Sequence, residues 1–206
     1  MARSKSSNRW MQEHFDDEYV KMAQVQGYRS RAVFKLKEIN EKDNLIKNGM
    51  NIVDLGAAPG GWSQLARQLM GKNGQLIALD ILPIEPLEGV TTILGDFREE
   101  SVLNALYAQL AGAPIHLVMS DMAPNMTGNK STDQARSIYL GELALDMAKT
   151  VLAKQGIFLV KLFQGDGFDA FHKEVQAVFS HVTIRKPKAS RPRSNEVYIL
   201  AKGYRA

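Results

Sequence analysis

Three apolar runs in this chain close on a carboxylate: Asp54 in Ile52-Val53-Asp54-Leu55, Asp80 in Ala78-Leu79-Asp80 and Asp96 in Gly95-Asp96-Phe97. The first leads into a glycine-rich turn, Gly56-Ala57-Ala58-Pro59-Gly60-Gly61, followed by Trp62 and a helix-forming stretch over 63–70. Glycine after an apolar strand lets the backbone approach a small molecule closely, and open α/β sheets bind ligands outside the carboxyl ends of their strands. Dinucleotides, nucleoside triphosphates and S-adenosylmethionine are all held by such loops. The turn breaks the G-x-G-x-x-G spacing of a dinucleotide site, with alanine at the second position and proline inside it. A phosphate loop fails as well, because Trp62 and Ser63 stand where Lys and Ser/Thr would follow. Asp80 is placed to accept both hydroxyls of a ribose, and Asp96 beside Phe97 suits an adenine amino group and its ring face. Three acids in register would repel a pyrophosphate and suit a sulfonium cation. Singly, each reads as readily as a helix cap or turn residue; Asp54 could simply brace the loop, and Trp62 could be core as easily as ligand wall.

The next strand end carries Ser120-Asp121-Met122-Ala123-Pro124-Asn125. It keeps an acid but lacks the proline-proline-aromatic turn with which nitrogen methyltransferases grip an amine, so nitrogen is disfavoured as the acceptor. Cysteine is absent, which removes disulfides, thiolate metal sites and the usual covalent route to pyrimidine carbon methylation. Oxygen remains. Two lysines lie among apolar residues, Lys35 in the first long helix and Lys161 between Val160 and Leu162. A buried ammonium is costly unless paired. An ordinary lysine titrates near 10.4 and a base at neutral pH works best near 7–8, a gap of about 4 kcal/mol that desolvation and a like-charged neighbour must supply. Strand burial would supply the first and Lys35 the second, with Asp121 and Glu196 orienting the ammonium groups. The plainer reading of Lys161 is a strand-end residue whose tip snorkels to water.

An alternating scaffold has to hold these groups. Residues 30–40 read as a helix, with Val33, Phe34, Leu36 and Ile39 at helical spacing and Ser30 as its N-cap. Strand-like runs follow at 51–55, 75–81, 90–94, 116–120, 156–163, 182–185 and 196–201, with amphipathic stretches at 99–110, 132–152 and 168–179. The pattern predicts a mainly parallel seven-stranded sheet covered by helices on both faces. A helix-free link joins the last two runs, so they form a hairpin with one antiparallel strand near the C-terminus. With 206 residues, one domain is expected. Residues 1–37 carry eight Lys or Arg against four Asp or Glu, residues 185–206 carry seven against one, and the middle carries eleven against seventeen. Positive ends around an acidic centre suit a polyanionic partner. No apolar run approaches the roughly 20 residues of a membrane span, and the polar, basic start is no secretion signal; the expectation is a soluble, cytoplasmic protein. His14, His116, His172 and His181 lack the paired spacing of a zinc site.

Five segments, in unbroken order between about residues 28 and 201, resemble the RrmJ/FtsJ family of ribosomal RNA ribose 2′-O-methyltransferases. They are Ser30-Arg31-Ala32-Val33-Phe34-Lys35-Leu36, Asp54 to Ser63, Ser120 to Asn125, Val160-Lys161-Leu162-Phe163-Gln164-Gly165, and Ser190 to Tyr198. The resemblance implies a Rossmann-like class I S-adenosylmethionine-dependent methyltransferase fold: one domain over 28–206, behind a basic, flexible N-terminal extension over 1–27. The family's Lys-Asp-Lys-Glu tetrad falls on Lys35, Asp121, Lys161 and Glu196 without substitution, and its methyl-donor contacts fall on Gly60, Trp62, Asp80, Asp96 and Asp121. The implied reaction passes a methyl group from S-adenosylmethionine to a ribose 2′-hydroxyl, leaving S-adenosylhomocysteine, with no metal. Lys161 would take the hydroxyl proton, Asp121 and Lys35 would position the nucleophile, and Glu196 would hold a lysine or the ribose.

Compact bacterial members of that family act on a uridine of large-subunit rRNA, so the implied substrate is 23S rRNA within the 50S subunit and the implied role is rRNA methylation in ribosome biogenesis. Transfer RNA and messenger RNA caps, modified by relatives, are the alternatives. Arg3, Lys5, Arg9, Arg29, Arg31, Arg191 and Arg193 are the candidate phosphate contacts, and a monomer is expected. A different class of reading is a non-catalytic ribosome-assembly factor that retains a donor pocket. The intact tetrad speaks against it, since RNA binding alone has no need of two partly buried lysines.

Overall fold

Helix and strand alternate over most of the chain, as the apolar periodicity predicts. The computed structural model describes residues 17–206. In chain order these form α1 (Glu18–Val25), α2 (Val33–Asp43), β1 (Ile52–Leu55), α3 (Gly61–Met70), β2 (Leu76–Asp80), β3 (Thr91–Leu94), α4 (Glu100–Leu110), β4 (Ile115–Ser120), α5 (Lys130–Val151), β5 (Leu152–Phe163), α6 (Phe168–Val178), β6 (Phe179–Arg185) and β7 (Glu196–Tyr204). The seven strands make one sheet in the order β3-β2-β1-β4-β5-β7-β6. Pairings from β3 across to β5 are parallel, while β7 runs antiparallel to both β5 and β6. The expected hairpin is present, and its second strand is inserted between β5 and β6, leaving β6 at the edge.

Strand alternation sorts side chains to two cores. Val53, Leu55, Val118, Phe158, Val160, Val197 and Ile199 pack under α4, α5 and α6. Ile52, Leu117, Met119, Leu159, Tyr198 and Leu200 pack under α1, α2 and α3. Both faces of the inner strands are thereby dry, while β3 and β6 at the edges stay largely exposed; each buried large apolar side chain contributes about 1.5–3 kcal/mol relative to exposure. The sorting also decides the site, because Asp121, Lys161 and Glu196 share the strand parity of Met119, Leu159 and Tyr198. All three belong to the face covered by α2, the helix that carries Lys35.

Two local outcomes differ from the sequence reading. Helix α2 starts at Val33 with Ala32 at its N-cap and no side-chain capping bond, so Ser30 is not the cap. Ser30 instead presses on α3: a Cβ placed on Gly61 would lie 2.5 Å from its Oγ. Strand β5 begins four residues early, because α5 runs into it directly and the register with β4 slips between Ile115 and Leu117. The described part of the N-terminal extension contains α1, docked through buried Val20 and Ala23.

Candidate active site

Two ion pairs occupy the α2 face of the sheet near the carboxyl ends of β4 and β5. Lys161 and Tyr198 are register partners on β5 and β7. Lys161 Nζ lies 3.0 Å from Asp121 Oδ1 and also donates to the main-chain carbonyl of Asp121. The Tyr198 hydroxyl donates to the same Oδ1 at 2.7 Å. Lys35 Nζ sits 2.7 Å from Glu196 Oε1, off the hydrogen-bond direction, and 5.8 Å from the centre of the Tyr198 ring. Lys35 and Lys161 are each only 9% exposed. Lys161 therefore does not snorkel; its tip turns inward onto Asp121.

The charges balance across this cluster, and each ammonium meets a carboxylate. Burial on its own would push Asp121 up, but the charges of Lys161 and Lys35 and the Tyr198 hydroxyl hold it below its ordinary range. Glu196 follows the same logic, with Lys35 as the main opponent of burial. Burial, then the charges of Asp121 and Glu196, push Tyr198 well up, so it stays a donor. Tyr198 carries no role in the sequence reading. The signal for it was available in the alternation of β7, where it shares a face with Glu196.

Beside the cluster, a cavity of about 620 Å³ opens at the carboxyl ends of β1, β2 and β4. Gly56, Asp80, Asp96, Phe97, Asp121 and Met122 are among its walls. Asp121 belongs to both cavity and ion-pair cluster, and is where the two meet. Gly56 has φ +70°, and a Cβ there would lie 2.2 Å from Met122 Cγ, which explains glycine at the foot of the turn. Asp80 accepts from Ala58 N and from Leu82 N, each at 2.8 Å, and so joins two loops from the cavity side. Asp96 is gripped by Arg98, whose Nε lies 2.9 Å from both carboxylate oxygens, and that bond holds its carboxyl below the ordinary range. Arg98 enters the cavity wall through this contact, which the sequence reading did not include.

The remaining candidates lie apart from the cavity lining. Trp62 is buried: its Nε1 donates to Ala32 O at 2.9 Å and its ring lies 5.7 Å from that of Tyr198. It lines a small crevice with Asp54, Pro59 and Asp121. Gly60 caps α3 with φ +105° and is packed by Arg29, whose Nη1 would be 2.9 Å from an added Cβ. Asp54 is a brace, taking the Ser63 hydroxyl at 2.6 Å, and burial pushes it up to about 7 despite that bond.

Most basic side chains of the two ends are engaged within the molecule. Arg29 bonds three main-chain carbonyls. Arg31 pairs with Asp17 and bonds Ala189 O. Arg191 lies 3.8 Å from Asp17, and Arg185 pairs with Asp43 at 2.7 Å. Arg193 also has an interaction within the described residues, and Arg3, Lys5 and Arg9 fall outside them. Among the described residues no three acids or histidines gather as metal ligands would, and no helix is long and apolar enough to cross a membrane.

A seven-stranded sheet with one antiparallel strand between β5 and β6, and a carboxylate-rimmed cavity at its strand ends, defines a Rossmann-like methyltransferase. The chain belongs to the FtsJ-like methyltransferase family, which matches residues 28–204. Its fold is similar to that of a protein from Plasmodium falciparum named as a ribosomal RNA methyltransferase, with TM-score 0.77 and 28% identity over 86% of this chain and 98% of that one. A Clostridium thermocellum protein named as an rRNA methylase shares the fold, with TM-score 0.56 and 19% identity over 82% of this chain and 96% of that one. FtsJ-like methyltransferases use S-adenosylmethionine. The cavity fits that group, being within the usual range of ligand sites, about 300–1,000 Å³, with acidic rims and an aromatic wall.

Proposed function

We propose that this protein methylates the ribose 2′-hydroxyl of a uridine in 23S rRNA of the 50S subunit, taking the methyl group from S-adenosylmethionine and acting as a cytoplasmic monomer without a metal. The observation that carries the reading is the cluster of Lys35, Glu196, Lys161 and Asp121, two ion pairs that touch the donor cavity at Asp121. Binding RNA alone has no need of such a cluster buried beneath the sheet.

Asp80 would hold the donor's ribose hydroxyls and Asp96 its adenine amino group, with Asp121 near the sulfur and Gly60 and Trp62 supporting the opposite wall. When bound, S-adenosylmethionine supplies a methyl carbon already activated by positively charged sulfur. Chemistry at the acceptor then demands alignment and removal of one proton, and alignment is the larger contribution. Lys161 takes the hydroxyl proton, and Asp121, 3.0 Å away, holds the ammonium that results. Tyr198 keeps Asp121 aimed, while Lys35 and Glu196 position the ribose. Arg3, Lys5, Arg9, Arg191 and Arg193 would meet phosphates, and the 2′-hydroxyl itself selects RNA over DNA.

The test is to incubate methyl-labelled S-adenosylmethionine with 50S subunits, free 23S rRNA and transfer RNA in parallel, then digest to nucleosides. Label in 2′-O-methyluridine from 50S subunits is expected. Label confined to transfer RNA would move the substrate, and no label in any RNA would leave a non-catalytic assembly factor.

A further inference from the structure

Arg29 has the composition of a phosphate contact and the geometry of a clamp. Its Nη1 donates to Pro59 O at 3.2 Å and Glu85 O at 2.6 Å, and its Nη2 donates to Pro86 O at 2.9 Å. Pro59 belongs to the turn after β1. Glu85 and Pro86 belong to the connection between β2 and β3, residues 81–90, which has neither helix nor strand. A connection containing Pro83 and Pro86 lacks two backbone donors, and its carbonyls need partners from elsewhere. Arg29 supplies them, and its own backbone N–H is tied to α3 through Gln64 Oε1 at 3.1 Å.

The two segments joined by this guanidinium are both walls of the donor cavity, which Ala58 lines from the first and Ile81 and Leu82 from the second. Asp80 already bridges them from within, through Ala58 N and Leu82 N. Arg29 bridges them from outside. Arg67 secures the far end of the connection, with Nη1 3.1 Å from Gly89 O.

We infer that Arg29 is a positioning residue of the methyl-donor site: its guanidinium fixes the turn after β1 against the β2–β3 connection and so sets the spacing of the two walls between which the donor's ribose lies. The inference rests on the donor reading of the cavity given above. It also reassigns Arg29 from phosphate contact to protein clamp, because three of its five N–H donors bond protein carbonyls. Lysine is no substitute here. A planar fork reaches carbonyls on two segments at once, whereas an ammonium is a point donor.

The experiment separates clamp from phosphate contact by measuring two affinities. S-adenosylhomocysteine binding by calorimetry and 50S-subunit binding across a salt series are compared for wild type, Arg29→Lys and Arg29→Gln. The clamp predicts that both variants lose about tenfold or more in S-adenosylhomocysteine affinity, with 50S affinity and its salt slope unchanged. Unchanged S-adenosylhomocysteine affinity in Arg29→Lys overturns the inference, as does a salt slope lowered by about one in Arg29→Gln and restored in Arg29→Lys. Wild-type protein that fails to bind S-adenosylhomocysteine would strike at the donor reading itself, which keeps the two failures apart. Should Arg29→Lys not fold, Arg67→Lys loosens the other end of the same connection. A loss of about threefold in S-adenosylhomocysteine affinity with RNA binding unchanged supports the clamp, and unchanged affinity for both ligands overturns it.

Discussion

Asp121 takes an ammonium and a phenol on one oxygen while lining the donor cavity, so the proposed chemistry converges on one carboxylate. Replacing Lys161 by methionine keeps most of its volume and removes both the proton acceptor and the charge opposite Asp121. Lys161→Met is expected to lower methyl transfer by about 10³-fold or more, with S-adenosylhomocysteine affinity changed by less than about threefold; single-turnover assays alongside calorimetry check it, and retained turnover would displace Lys161 as the base. Asp54 gives a prediction of another kind. Its carboxyl is pushed up to about 7 by burial, so between about pH 4 and 7 the folded chain holds a proton that the unfolded chain releases. Stability from this group is full below about pH 4 and is lost as pH rises through 7, on the order of 4 kcal/mol. Asp54→Asn stays neutral and can still accept from Ser63. Urea titrations should therefore show the variant gaining on wild type by several kcal/mol from pH 4 to pH 8, and parallel pH profiles would contradict the assignment.

Among the elements, the turn between β1 and α3 matters most, because it is shaped from two directions. Gly56 sits at φ +70° with Met122 packed where a side chain would begin, and Met122 is the direct neighbour of Asp121. Gly56→Ala imposes left-handed strain of about 1–2 kcal/mol and forces Met122 aside. The expected result is a loss of about tenfold in S-adenosylhomocysteine affinity with the far-ultraviolet spectrum retained; calorimetry and circular dichroism on the same sample decide it. Helix α2 works differently. It has no side-chain cap and low amphipathicity is no obstacle, since buried Val33, Phe34, Leu36 and Ile39 hold it on the sheet and aim Lys35 beneath β7. Ser30 illustrates how a local rule yields to packing: its type and position suit a cap, but its hydroxyl is used against α3.

For the molecule as a whole, the sheet acts as a partition, with three of the described helices on each face and the candidate site confined to the ends of its central strands. Strand-end acids, the glycine-rich turn and two lysines in apolar settings were legible along the chain because burial and turn chemistry are local: neighbours within a few residues reveal them. The same locality made the alternation of strands and helices readable, including the final hairpin. Pairing was not readable. Which acid meets Lys35 and which meets Lys161 depends on β7 inserting between β5 and β6, and nothing near Glu196 in sequence announces that neighbour. Charge likewise showed Arg29 and Arg31 as cations without showing the carbonyls and carboxylate that already engage them. The amino-acid sequence by itself determined the residue types, the element order from α2 onward and the family; only the tertiary structure decided the partners. A strand's alternation dictates which face a side chain takes, whereas the group waiting on that face is brought there by contacts distant in sequence.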